Sequence, residues 1–153
     1  MYADQGRYEP LARIDGIAHA QVMYFHNAPN GEPESLTDSD DTLRWQGHSS
    51  AWGKLSDGEK QQTLDYSQNL RLQGQYLDRE TGLHYNLFRY YDPDIDRFTQ
   101  HDPIGVLGGL NNYAYAPNPL TWIDPLGLKC THSASNLSRL MLPLKINGAS
   151  YDP

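Results

Sequence analysis

Three aspartates of this chain, Asp92, Asp102 and Asp124, are each followed directly by proline. Proline fixes its own φ and pushes the residue before it towards extended backbone, so each carboxylate is presented from a stiff turn. Two carboxylates held close together cannot both ionise cheaply, and such a pair can activate water and protonate the leaving amine of a peptide bond. Asp-Pro pairs also begin ordinary turns. The pattern therefore predicts rigidly mounted carboxylates, with either a structural or a catalytic role.

The other residues that could carry chemistry form no comparable arrangement. The six histidines include no i, i+4 pair and no metal-cage spacing, and the single cysteine, Cys130, has no zinc-ligand residues around it. We expect no metal site and no cofactor. The many tyrosines fit either a sugar-binding or base-stacking face or cross-strand packing, and cross-strand packing explains them better.

The composition indicates short strands joined by many turns. Only 38% of residues are hydrophobic, and the chain contains 13 glycines, 10 prolines and 11 tyrosines. Apolar residues occur in short runs, at 21–26 and 83–88, each bounded by turn-forming residues. We expect an all-β fold of short antiparallel hairpins with loops and one or two short helices. One such helix would start at the capping box of Ser56 and Glu59 and run to Tyr66, although a solvated loop fits these residues equally well.

Charge and hydropathy exclude two classes of function. The formal net charge is −7, and the resulting field would repel a phosphate backbone, so we expect no nucleic-acid binding. No run approaches the 18 apolar residues of a membrane-spanning helix, and the first 25 residues lack the basic and apolar regions of a Sec signal peptide.

The middle of the chain repeats at an offset of 40 residues. In this register Asp38 aligns with Asp78, and Trp45 aligns with Tyr85. Each unit reads as a polar tight turn followed by a strand with an aromatic residue, which predicts two equivalent hairpins. Such units must stack, because one hairpin cannot bury its own face.

The first unit resembles the Tyr-Asp repeats of bacterial Rhs proteins. His26, Gly31, Pro33, Leu36 and Asp38 fit the frame His-x4-Gly-x-Pro-x2-Leu-x-Asp, and residues 51–53 fit its Ala-Trp-Gly ending. Serines at 49 and 50 and alanine at 28 stand where the family commonly has Tyr-Asp and Asp. The resemblance implies hairpins wound like laths into a hollow β-cocoon that encloses a toxin, of which this chain supplies a part.

Residues 89–128 resemble the C-terminal end of the Rhs core, the region that borders a variable toxin. Asp96 stands where the family usually has glycine, and we expect Asp96 to adopt the left-handed backbone of that turn. The motif residues that keep the family frame are Tyr91, Asp92, Pro93, Gly105, Asn111, Tyr113, Tyr115, Asn118, Pro119, Pro125 and Gly127.

This resemblance implies self-cleavage after the last residue of the Asp-Pro-x-Gly-Leu motif, between Leu128 and Lys129. It assigns the catalytic dyad to Asp102 and Asp124. Arg97, or alternatively His101, is the expected charge-tuning neighbour of the dyad. The glycine at 127 tolerates unusual φ, which would let the scissile strand enter the site.

The expected organisation has three parts: a poorly defined segment at 1–20, the Rhs core region at 21–128, and a remnant at the toxin position, 129–153. Only 25 residues follow Leu128, fewer than a folded toxin needs. The favoured function is a C-terminal fragment of a toxin-delivery shell used in competition between bacteria, which cleaves itself in the full-length protein. The alternative is an orphan or displaced cassette that acts as a non-catalytic interaction module or has no present activity.

The resemblance also implies partners and location. The partners would be the rest of the shell, a C-terminal toxin, a cognate immunity protein and a component of a secretion apparatus such as type VI. The expected location is the bacterial cytoplasm, or outside the cell after specialised secretion. Exposed strand edges predict self-association.

Overall fold

A computed structural model describes residues 1, 8–16, 19–56, 60–61 and 66–132. Their strands are β1 (Ala12–Asp15), β2 (Gln21–Asn27), β3 (Pro33–Asp38), β4 (Leu43–Gln46), β5 (Lys60–Gln61), β6 (Tyr76–Leu77), β7 (His84–Asn86), β8 (Arg89–Asp92), β9 (Arg97–Phe98), β10 (Trp122–Ile123) and β11 (Thr131–His132). Within these residues the helical structure is one 3₁₀ turn, Gly105–Leu107. The all-β prediction is confirmed. No helix in the described part of the chain is long and apolar enough to cross a membrane.

The strands form three antiparallel sheets in which every neighbour in space is also the neighbour in sequence. The sheet orders are β1-β2-β3-β4-β5, β6-β7-β8-β9 and β10-β11. This meander arises because connections of a few residues join most of the paired strands, so these strands pair locally, while residues 47–59 separate β4 from β5. The second and third sheets carry the residues of the candidate site.

Two of these hairpins confirm the predicted repeat. In β3–β4 the pair Leu36 and Trp45 lies in register, and in β6–β7 the pair Tyr76 and Tyr85 occupies the equivalent positions. The faces differ, however: Leu36 and Trp45 are buried, whereas Tyr76 and Tyr85 are exposed. The repeat thus predicts pairing but not which face the rest of the protein covers.

Aspartate side chains close both hairpin turns. Asp38 Oδ1 accepts the backbone N–H groups of Asp40 and Thr42, at 2.9 and 3.0 Å. Asp78 Oδ1 accepts the backbone N–H of Glu80 at 3.0 Å. Each is an Asx turn, in which a short carboxylate bonds to the backbone two residues on and so fixes the direction of the strand that follows.

Two apolar clusters form the core. One contains Met23, Leu36 and Trp45 beneath the first sheet. The other lies beside the candidate site and consists of Leu72, Tyr91, Phe98, Tyr115 and Ala116. The rings of the second cluster pack at tilted or edge-on angles, with centroids 5.3–6.0 Å apart, as cross-strand and loop packing of aromatic residues predicts.

The turn that carries Asp96 has the expected conformation, with a φ of 57° at that residue. The predicted helix from Ser56 to Tyr66 is wrong at residues 60 and 61, because Lys60–Gln61 forms strand β5 and pairs with β4. Ser56 precedes residues 57–59, which with 62–65 lie outside the described residues. Residues 2–7 and 17–18 of the segment predicted at 1–20, and residues 133–153 of the segment predicted at 129–153, also lie outside them.

Candidate functional site

Arg89 joins the two candidate aspartates. Its Nη2 atom lies 3.2 Å from Asp102 Oδ2 and 3.2 Å from Asp124 Oδ2. Arg89 begins β8, Asp102 follows β9, and Asp124 follows β10 directly. All three side chains are at least 95% buried. The fold therefore brings together two carboxylates that are separated by a long stretch of sequence.

The rest of the Arg89 guanidinium is bound on every side. Nε donates to the carbonyl oxygen of Gly127 at 2.6 Å, and Nη1 donates to that of Asn112 at 3.0 Å. The guanidinium carbon stands 3.6 Å from the ring centroid of Phe98, a cation–π contact. Burial lowers the pKa of Arg89, while Asp102 and Asp124 oppose that shift. Arginine remains charged under these conditions, so the pair of carboxylates shares one fixed cation.

Asp102 is held by its own turn. Its Oδ1 atom accepts the backbone N–H of Ile104 at 2.9 Å, and its backbone N–H donates to Asn112 at 3.1 Å. The backbone carbonyl of Asp102 also accepts the N–H of Gly105 at 3.0 Å. The proline after Asp102 also has a fixed φ, so the local backbone holds Asp102 Oδ2 in its position beside Arg89.

Asp124 contacts both residues of the predicted cleavage bond. Its Oδ1 atom accepts the backbone N–H of Leu128 at 3.0 Å and that of Lys129 at 3.1 Å. Its backbone carbonyl accepts the side-chain amide of Asn86 at 2.8 Å. Burial raises the pKa of Asp124 to about 6, against the lowering effects of the amide hydrogen bonds and of Arg89. Asp124 therefore titrates far closer to neutrality than an ordinary aspartate.

Gly127 permits the close approach of the cleavage segment to β7. Its φ is 68°, and a Cβ atom there would stand 2.6 Å from the carbonyl oxygen of Asn86. A side chain would meet both backbone strain and rigid backbone atoms, so glycine is required on two counts. This close packing brings the carbonyl of Gly127 onto Arg89 and the amide of Leu128 onto Asp124.

A cavity of about 210 Å³ opens beside the dyad. Its lining includes Arg89, Asp102, Asp124, Tyr115 and Leu128. It has room for several water molecules, because one water occupies about 30 Å³ in the liquid.

The carbonyl oxygen of Leu128 and Asp102 Oδ2 meet beside Gly108. A Cβ atom at position 108 would lie closer than 3.0 Å to both oxygens. The φ and ψ of Gly108 are −80° and −25°, a conformation open to any residue. Gly108 therefore matters for the space that it leaves rather than for its backbone angles.

Arg97 and His101 lie away from the dyad. Arg97 is exposed in β9, where it pairs with Asp92, and His101 is exposed with its ring 4.6 Å from that of Tyr113. Within the described residues, the ion pairs of Asp102 and Asp124 are made by Arg89 instead. Sequence reasoning missed Arg89. The signal was the alternation in β8, which places Arg89 on the same buried face as Tyr91.

The remaining motif residues build turns and core around the site. Three of them accept, through a side-chain oxygen, the backbone N–H of the residue two positions on. The donors are Asp94 for Asp92, Tyr113 for Asn111 and Leu120 for Asn118. The Asp-Pro pair at 92–93 thus closes a turn outside the dyad. The described residues contain no group of three or more His, Cys, Asp or Glu side chains placed to hold a metal ion.

Comparison with known proteins finds one matching family model and several related toxins. The family model described as RHS protein matches residues 22–58. The chain is 42% identical over 143 residues to Double-stranded DNA deaminase toxin A of Burkholderia cenocepacia, with 84% of this chain and 10% of that protein covered. It is 40% identical over 128 residues to Toxin protein Tse5 of Pseudomonas aeruginosa, with 83% of this chain and 9% of that protein covered.

A solved structure shares the fold. The crystal structure of TcdB2-TccC3 without its hypervariable C-terminal region matches with a TM-score of 0.64 and 29% identity, over 76% of this chain and 6% of that one. The chain spans about a tenth of the length of each of the two toxins from Burkholderia cenocepacia and Pseudomonas aeruginosa. On the matched repeat and on the identity to these toxins over most of its length, the chain belongs to the Rhs protein family.

Proposed function

We propose that this chain is the C-terminal part of an Rhs toxin-delivery shell and acts within it as an intramolecular aspartyl protease. The bond cut is the one between Leu128 and Lys129. The observation that carries the proposal is the contact of buried Asp124 with the Lys129 nitrogen while Asp124 shares Arg89 with Asp102. A peptide bond, an acid and a base are thereby held in one place, which is the main requirement for intramolecular hydrolysis.

Asp124 is the general acid. The leaving group of the reaction is the Lys129 nitrogen, 3.1 Å from Asp124 Oδ1. An acid must reach the atom that it protonates and must still hold its proton near the working pH. The position of Asp124 meets the first condition, and its raised pKa of about 6 meets the second.

Asp102 is the general base. Its Oδ2 atom and the Leu128 carbonyl oxygen flank the same point beside Gly108, and both residues line the cavity. A water in that cavity can donate a proton to Asp102 while it faces the carbonyl carbon. Arg89 is bound to both carboxylates, and in this proposal the one proton of the pair is carried by Asp124.

In the proposed step, one water and the proton of Asp124 supply the groups added to the two new chain ends. The water oxygen forms a bond to the Leu128 carbonyl carbon, and one water proton passes to Asp102. The carbon–nitrogen bond then breaks as Asp124 gives its proton to the Lys129 nitrogen. The products are a carboxyl group on Leu128 and an amino group on Lys129, and the dyad holds one proton before and after the step.

The relatives support the delivery role. Two that match most of this chain are named as toxins, and the solved TcdB2-TccC3 structure is of a form without a hypervariable C-terminal region. In this proposal residues 21–128 form the end of the shell and residues from 129 onward occupy the toxin position. Cleavage frees that toxin inside the shell for use against competing bacteria, with a secretion apparatus and an immunity protein as partners.

The test is a shell chimera, in which this chain replaces the matching segment of the Burkholderia cenocepacia relative. We expect intact-mass analysis to show cleavage and the downstream fragment to begin at Lys129. Asp102→Asn and Asp124→Asn should each give one uncleaved species. Asp92→Asn is the matched control, because Asp92 also precedes proline but lies outside the dyad, and it should cleave like the parent.

Cleavage in either dyad variant at the parent rate would overturn the assignment, and so would a parent chimera that stays intact. The second outcome would favour a non-catalytic interaction module. The 153-residue chain alone should remain a single species of 17.4 kDa, because part of the supporting contacts would come from neighbouring shell hairpins.

A further inference from the structure

Tyr115 lines the cavity, and its buried hydroxyl has no acceptor for its proton among the described residues. The residue is 2% exposed and its ring packs against Tyr91 and Phe98. The hydroxyl lies beside the backbone of Asp124, but no described residue accepts its proton. Buried tyrosine hydroxyls normally find a hydrogen-bond partner, since an unsatisfied one costs stability.

Packing does not account for this hydroxyl. Tyr91 lies in the same cluster, and its hydroxyl donates to the Trp52 carbonyl at 2.8 Å, outside the dyad. A phenylalanine at 115 would fill the core equally well and leave no orphan donor. The hydroxyl of Tyr115 therefore indicates a ligand that accepts a hydrogen bond in the cavity.

The cavity is suited to water. It is large enough for more than one molecule, and a buried water requires two to four polar partners. Asp102 offers an acceptor, Tyr115 offers a donor, and Arg89 and Asp124 complete the polar lining. The Leu128 carbonyl that water must attack borders the same space.

We propose that Tyr115 holds the attacking water, by donating its hydroxyl proton to one lone pair of the water oxygen. The water then donates one hydrogen to Asp102, and its second lone pair faces the Leu128 carbon. Tyr115 donates the same hydrogen bond before and after the step, so it neither gains nor loses a proton. This inference rests on the proposed self-cleavage and adds the residue that orients its nucleophile.

Tyr115 is suited to remain a donor throughout. Burial raises its pKa far above the usual value for tyrosine, and the nearby Asp124 charge acts in the same direction. The hydroxyl thus stays protonated at every pH at which the dyad holds its single proton. Fixing a water to within a fraction of an ångström of its attack position is worth about 100-fold in rate.

The test compares Tyr115→Phe with Tyr91→Phe in the shell chimera. Each removes one hydroxyl from the same aromatic cluster, but of the two tyrosines only Tyr115 lines the cavity. We expect Tyr115→Phe to slow cleavage about 100-fold with an unchanged melting temperature. Tyr91→Phe should cleave at the parent rate.

Tyr115→Phe that cleaves at the parent rate would overturn the inference, while blocked cleavage in Asp102→Asn would leave the proposed function standing. Equal slowing by both phenylalanine variants would assign Tyr115 to packing and also overturn it. A crystal structure of the Asp102→Asn chimera gives a second readout that does not need Tyr115→Phe to fold. A water within hydrogen-bond distance of Tyr115 Oη supports the inference, and its absence contradicts it.

Discussion

Asp124 accepts the backbone N–H of Lys129 through Oδ1 at 3.1 Å. The acid of the proposed reaction is therefore already in contact with the nitrogen that must leave. The same oxygen also accepts the N–H of Leu128, so a single carboxylate fixes the peptide bond from both sides. In the proposed reaction this contact must reverse, so that Asp124 donates a proton to the nitrogen from which it now accepts one.

This contact predicts that cleavage slows as the pH rises. Asp124 acts as an acid only when it is protonated, and burial sets its pKa at about 6. Above that value the protonated fraction falls about tenfold for each pH unit. We expect the cleavage rate of the shell chimera to fall about tenfold between pH 7 and pH 8, as measured by intact mass over time.

The control for this profile is Asp92→Asn, which leaves the dyad intact and should show the same fall. Circular dichroism at both pH values checks that the fold is unchanged. A rate that stays constant from pH 6 to pH 8, or rises, would contradict Asp124 as the acid.

A side chain at position 108 should slow cleavage, because it would occupy the space between the base and the scissile bond. Its backbone angles suit any residue, yet a Cβ atom there would lie closer than 3.0 Å to Asp102 Oδ2 and to the Leu128 carbonyl. Gly108→Ala must therefore push the base away from the bond that it serves. We expect cleavage at least about 100-fold slower with the hairpins intact.

Leu107→Ala is the matched control for the same loop, because its side chain is 76% exposed and is not among the residues that line the cavity. It should cleave like the parent. Equal rates in Gly108→Ala and the parent would show that Asp102 does not need to approach the carbonyl.

Local signals in the sequence predict the hairpins, and tertiary contacts decide the rest. Asp38 and Asp78 bond to backbone within their own turns, so their roles can be predicted from a few neighbouring residues. Arg89 meets Asp124 across 35 positions in the chain, and no pattern around Arg89 specifies that partner. Likewise the aligned Trp45 and Tyr85 share a register, but their burial depends on which face the neighbouring elements cover.

We expect the buried His84 to lower the free energy of unfolding as the pH falls. It is 2% exposed, its Nδ1 lies 2.8 Å from Gln75 Oε1, and burial lowers its pKa to about 3. The unfolded chain protonates this histidine below about pH 6.5, whereas the folded protein does not until far lower pH. Stability from this group is therefore full above pH 6.5 and is lost as the pH falls towards 3, by about 2 kcal/mol at pH 5.

His84→Asn keeps a side-chain donor for Gln75 and removes the titration. We expect its free energy of unfolding in urea to fall less between pH 7 and pH 5 than that of the parent. The difference between the two proteins cancels the opposite effect of Asp124, whose raised pKa favours the folded state at lower pH. Parallel pH profiles in the two proteins would show that His84 does not titrate as proposed.

Asp96 lies in the turn between β8 and β9, the strands of Arg89 and Phe98. We expect replacing Asp96 by glycine to stabilise the protein. The φ of 57° at Asp96 is a left-handed conformation that costs an L-residue about 1 kcal/mol and glycine almost nothing. Asp96→Gly should therefore raise the free energy of unfolding by about 0.5–1 kcal/mol in urea titration. Asp94→Gly is the control in the same turn: Asp94 has no positive φ, so glycine there adds unfolded-state freedom, removes the exposed ion pair with Lys54 and should destabilise. The same sign in both variants would show that backbone strain at 96 is not what limits this turn.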